Sequence, residues 1–88
     1  MGSYKILFKR SAEKELRDIP SPFLSRVLSK VDSLSANPRP SGVQMLKGPE
    51  RYYRIRQGDY RIIFEINAEE RAIVIIKIGH RREIYDRS

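Results

Sequence analysis

Tyr52-Tyr53-Arg54-Ile55-Arg56, Tyr60-Arg61-Ile62-Ile63-Phe64-Glu65-Ile66 and Ala72-Ile73-Val74-Ile75-Ile76-Lys77-Ile78-Gly79-His80-Arg81 are three strand-like runs, and their alternation decides the fold. Side chains along a strand point to opposite faces in turn. Strict alternation assigns Tyr53, Ile55, Tyr60, Ile62, Phe64, Ile66, Val74, Ile76 and Ile78 to one face. The other face receives Arg54, Arg56, Arg61, Lys77 and Arg81, with Ile63, Glu65, Ile73 and Ile75 among them. One apolar face and one cationic face describe a sheet covered on one side and turned toward an anionic partner on the other.

Outward from these runs, the remaining elements follow from periodicity and punctuation. Gly58-Asp59 separates the first two runs at hairpin distance, and residues 67–71 separate the second from the third. Tyr4 to Lys9 reads as a further strand. Ser11 is placed to cap a short helix carrying Ala12, Leu16 and Ile19, which Pro20 stops. Ser21-Pro22 then opens a second helix with Leu24, Val27, Leu28, Val31 and Leu34 on one stripe, ending at Asn37-Pro38. Residues 38–50 hold three prolines and two glycines and read as a loop, with at most a brief extended piece around Val43 to Leu46. The expected architecture is α+β, in the order β-α-α-β-β-β, with a helical hairpin packed on a largely antiparallel four-stranded sheet. Strand order does not follow from this reading.

Composition narrows the function classes. Eighty-eight residues describe a single domain spanning 1–88. The net charge of +7 points to nucleic acid, an acidic protein or a membrane surface as partner. The longest purely apolar run, Ala72 to Ile76, is far too short to span a membrane, and no signal-peptide pattern opens the chain. The absence of cysteine fits a reducing cytoplasm and removes thiolate chemistry. One histidine and carboxylates without ligand spacing argue against a metal site, and no Gly-rich phosphate loop precedes a helix, so no cofactor is expected. A single strand arginine is ordinarily a solvated residue. A set of them on one parity, with few acids to neutralise it, favours anion binding. Arginine grips phosphate oxygens bidentately and stays charged, which suits stabilisation of a phosphorane during 2′-hydroxyl attack on an RNA chain.

Ile78-Gly79-His80-Arg81-Arg82-Glu83-Ile84-Tyr85-Asp86-Arg87 resembles the C-terminal signature of the RelE-type toxins of toxin–antitoxin pairs. Leu46-Lys47-Gly48, Tyr53-Arg54-Ile55-Arg56 and the Gly58 to Phe64 hairpin are similar to other parts of the same RelE/ParE superfamily, in the same order. The resemblance implies a ribosome-dependent, metal-independent endoribonuclease that cuts the mRNA codon in the ribosomal A site, held inactive between uses by a cognate antitoxin. It implies catalytic roles for Arg54, Arg56, Arg61, Arg81 and Tyr85. Lys77, His80 and Arg82 are expected as further RNA contacts. Ile63, Ile73 and Ile75, apolar on a cationic face, are expected to meet the antitoxin. Family members carry lysines where this chain has Arg54 and Arg56, and an arginine does not act as a base. The base then falls to Tyr85, to His80 or to the ribosome. The alternatives are a ParE-type gyrase poison of the same fold and a small non-catalytic RNA-binding module.

Overall fold

The computed structural model describes residues 3–49 and 51–81, in which two helices pack on one face of a five-stranded sheet. The elements in chain order are β1 (Lys5–Phe8), α1 (Arg10–Arg17), α2 (Ser21–Ala36), β2 (Gln44–Met45), β3 (Tyr52–Gln57), β4 (Tyr60–Asn67) and β5 (Ala72–His80). The sheet order is β1-β5-β4-β3-β2, with β1 parallel to β5 and every other pair antiparallel. The α+β class and the largely antiparallel sheet agree with the sequence reading. The fifth strand is the two-residue β2, built on the extended piece expected within the loop.

Helix boundaries follow from local chemistry, with shifts of one or two residues from the expected caps. Helix α1 starts at Arg10 rather than after Ser11, because the Lys9 carbonyl already accepts the Glu13 N–H at 3.0 Å. Pro20 ends that segment, and its carbonyl accepts the N–H groups of Phe23 and Leu24 to open α2. Pro22 sits in the first turn of α2, where its missing N–H costs nothing. The far end of α2 holds β1 in place: the Tyr4 N–H donates to the Ser35 carbonyl at 2.8 Å, and the Ser35 hydroxyl donates to the Tyr4 carbonyl at 2.6 Å. The β3–β4 turn has Gly58 at its first central position with φ +61°, the order a type II′ hairpin requires.

The core unites Ala12, Val27, Val31 and Leu34 of the helices with Tyr53, Ile55, Ile62 and Phe64 of the sheet. Ile73, Ile75 and Ile78 complete it from β5. This corrects the strict alternation expected of the last run. Ile63 pairs with Lys77 while Phe64 pairs with Ile75, so Ile76 is an extra residue, a β-bulge. The bulge inverts the parity of everything before it. Ile73 and Ile75, expected on the open face, are fully buried beneath the helices, and Val74 and Ile76, expected in the core, are only half-buried. From Lys77 onward the expected alternation holds.

Glu15 on α1 supports that irregular strand. Its carboxylate accepts the Ile78 backbone N–H at 2.8 Å and pairs with the Lys77 ammonium at 2.9 Å. Strand β1 stops pairing at Ile75, so Glu15 supplies the acceptor that a longer neighbouring strand would have provided. A second correction concerns α2: Leu28 lies on the apolar stripe but is 40% exposed, beyond the edge of the sheet-facing surface.

Two substitutions separate these readings in chemical denaturation. Ile75→Ala should cost about 2–5 kcal/mol as a core truncation, whereas strict alternation would limit its effect to about 0.5 kcal/mol. Leu28→Ala should stay near the latter value.

Candidate nucleic-acid interface

Residues in register across a ladder share a face, so the pairing maps the open side of the sheet directly. One row runs Leu7, Val74, Glu65, Tyr52, the next Lys77, Ile63, Arg54, Gln44, and the last Gly79, Arg61, Arg56. The face therefore has two halves. Arginines gather toward the β3–β4 turn, and Leu7, Val74 and Ile63 form an apolar area toward the other end.

Arg61 is the centre of the cationic half. With Gly42, Gln44, Arg54 and Arg56 it lines a cleft of about 80 Å³. Its guanidinium donates to the carbonyls of Gly58 and Tyr60 at 3.4 and 3.3 Å, which fixes it against the turn. Its pKa is lowered from the usual arginine value, first by loss of solvent and then by the charges of Arg56, Arg54 and Arg81, with Asp59 acting in the opposite sense. Arg54, Arg56 and Arg81 are thus close enough to act on Arg61, a field that an anion would relieve. Arg54 is steadied by donating to Gln44 Oε1 at 2.7 Å. Arg81, the residue after β5, donates its backbone N–H to the Asp59 carbonyl at 2.7 Å, and its Nε lies 3.9 Å from Asp59 Oδ1. Gly79 presents no side chain opposite Arg61.

The other expected site residues are distributed differently. Lys77 reaches this face by register, but its ammonium is held by Glu15 at the sheet edge, and the cations acting on Arg61 do not include it. His80 pairs with Tyr60 on the opposite, helix-covered face, where the two rings meet edge to face at 5.6 Å. Ile63 remains on the open face, half-buried, and Ile73 and Ile75 leave it for the core. Arg82 and Tyr85 lie outside the described residues.

Three features escaped the sequence reading. Leu7, 46% exposed, joins the open face only because β1 pairs with β5 in parallel, a long-range fact. Glu15 belongs to no motif, and nothing local announced its contact 62 residues away. Arg39 donates to the Tyr53 hydroxyl at 3.2 Å and lies over its ring, satisfying a tyrosine whose burial the alternation did foretell. Among the described residues no group of three or more histidines and carboxylates could hold a metal ion, and no helix is long and apolar enough to cross a membrane.

Comparison with known proteins places this geometry. Residues 6–85 match the family of the ParE toxin of the type II toxin–antitoxin system parDE. Toxin RelE3 of Methanocaldococcus jannaschii is 34% identical over 86 residues, covering 93% of this chain and 96% of its own. Toxin RelG of Mycobacterium tuberculosis is 28% identical, covering 96% and 98%. Among solved structures, RelE in the archaeal RelE–RelB complex of Pyrococcus horikoshii superposes with a TM-score of 0.79 at 31% identity, over 90% of this chain and 96% of that one. The RelBE2 toxin–antitoxin complex of Mycobacterium tuberculosis gives 0.81 at 26% identity, over 90% and 99%. The chain belongs to the RelE/ParE superfamily of type II toxin–antitoxin systems, as a toxin of the RelE type.

Proposed function

We propose that this toxin is a cytoplasmic endoribonuclease that cuts mRNA in the ribosomal A site by 2′-hydroxyl attack, without a metal ion. The observation that carries the reading is the convergence of Arg54, Arg56 and Arg81 on Arg61 at one end of the open face. A phosphorane gains charge as the 2′-oxygen attacks. Preformed guanidinium donors stabilise that charge most where they need not reorganise, as Arg61 is held on the turn carbonyls. The arginines supply this charge stabilisation and the phosphate grip, while none can accept the proton of the 2′-hydroxyl. The acid–base role is assigned to Tyr85 by resemblance, with in-line positioning supplied by the ribosome. Free RNA is accordingly a poor substrate.

The partner in the inactive state is a cognate antitoxin, as the RelE–RelB complexes suggest for their own chains. The surface it covers is the apolar half of the open face, Leu7, Val74 and Ile63, in place of the Ile73 and Ile75 expected from sequence. The gyrase-poison reading keeps one support, the ParE name of the matching family. It is separated by assaying DNA gyrase supercoiling beside mRNA cleavage.

Primer extension on translating ribosomes tests the main proposal. Arg61→Ala should lower the A-site cleavage rate by about 100-fold or more. Its melting temperature should stay near that of the wild type, since its contacts are two long hydrogen bonds to turn carbonyls at the half-exposed end of the sheet. Undiminished cleavage by Arg61→Ala, or inhibition of gyrase by the wild type, would reject it. Tyr85→Phe isolates the hydroxyl: lost cleavage assigns it to proton transfer, and retained cleavage leaves only ring stacking to that residue. Leu7→Asp should weaken antitoxin binding with cleavage by the free toxin unchanged. A complex as tight as that of the wild type would move the antitoxin to another surface.

A further inference from the structure

The β3–β4 turn separates two concavities on opposite faces of the sheet. The arginine cleft lies on one side. On the other, Phe23, Tyr60 and His80 wall a cavity of about 250 Å³, rimmed by Arg26, Gln57 and Asp59. The Tyr60 ring stands 6.2 Å from Phe23 at 37° and 5.6 Å from His80 at 79°, so the three rings form an angled wall. Phe23 is 46% exposed, although the helix that carries it buries Val27, Val31 and Leu34.

Three properties define the occupant. The volume falls below the roughly 300–1,000 Å³ of sites for drug-sized molecules, so the cavity suits a single planar ring system. The rim carries one cation, Arg26, and one carboxylate, Asp59, which offers donors and an acceptor but no net charge for a phosphate. The aromatic wall offers π-faces, on which unstacked bases of single-stranded RNA lie with little regard to sequence. We infer that this cavity receives an unstacked nucleobase of the same RNA strand whose phosphates rest on the arginine cleft. The inference rests on the RNA reading of that cleft and extends it around the hairpin.

The connection between the two concavities is built into the turn. Tyr60 and Arg61 are consecutive, so alternation sends the ring to one face and the guanidinium to the other at the same end of β4. Arg61 is anchored on the Gly58 and Tyr60 carbonyls, and Arg81 on the Asp59 carbonyl, all three within the turn segment that also lines the cavity. A strand held by those cations passes the edge of a two-residue turn to bring its next base against Phe23.

The test uses the full chain and a short single-stranded RNA carrying 2-aminopurine, whose fluorescence is quenched on stacking. The wild type should bind with quenching. Phe23→Ala should abolish the quenching and weaken binding by about 5- to 150-fold. Phe23→Trp should retain both, a check that remains informative if the alanine variant folds poorly. Arg61→Ala should weaken binding while the bound RNA is still quenched. Unchanged affinity and quenching in Phe23→Ala, with Arg61→Ala still weakened, would overturn the base pocket and leave the phosphate site standing. Insensitivity to both substitutions would overturn the pocket and the RNA reading together. Loss of antitoxin affinity alone in Phe23→Ala would make the cavity a protein-docking site and overturn the inference.

Discussion

A single inserted residue governs how this sheet meets its surroundings. Ile76 has no partner in β4, and the bulge it creates lets one strand serve two incompatible patterns. Before it, Ile73 and Ile75 point into the core beside Phe64. After it, Lys77 joins the row of Ile63 and Gly79 that of Arg61, and the chain arrives at Asp59 with Arg81 beside the arginine cleft. Were Ile76 paired in regular alternation instead of bulged, burying Ile73 and Ile75 would place Ile78 and His80 on the open face and turn Lys77 inward. Glu15 makes the arrangement durable by satisfying the Ile78 N–H at the edge where β1 no longer reaches.

Gathering four arginines costs free energy, which the protein limits by geometry. Arg54 leans on Gln44, Arg61 on turn carbonyls, and Arg81 on Asp59. These contacts orient the guanidiniums with little neutralisation, since among the described residues Asp59 is the one opposing charge acting on Arg61. The residual repulsion is what a phosphate would relieve, so the same feature that burdens the free protein favours the bound one. The apolar area of Leu7, Val74 and Ile63 lies beside this field on the same face. One surface can thus offer a protein partner hydrophobic contact and electrostatic attraction together.

The cationic face was legible in the sequence because β3 and β4 alternate without interruption: Tyr53, Ile55, Ile62 and Phe64 are buried, and Arg54, Arg56 and Arg61 face away. The helix stripe was legible through Val27, Val31 and Leu34, which the core claims. Leu28 misled because periodicity gives a stripe its direction and not its width. In the last run, Ile73, Val74, Ile75 and Ile76 are nearly interchangeable in hydrophobicity, so alternation had nothing to read and the bulge was invisible. Phe23 passed unnoticed for a related reason. It stands one residue before the stripe, and its meaning depends on Tyr60 and His80, which tertiary structure alone brings beside it.

The proposal that unites these observations is that Arg61, on β4, and Arg81, just past the end of β5, act on one phosphate. A double-mutant cycle measures this directly: single-turnover cleavage of ribosome-bound mRNA by the wild type, Arg61→Ala, Arg81→Ala and the double variant. Residues that act as a unit lose far less together than the product of their separate losses. A double variant only slightly slower than either single one is the predicted result. Losses that multiply, each arginine contributing independently, would contradict the account.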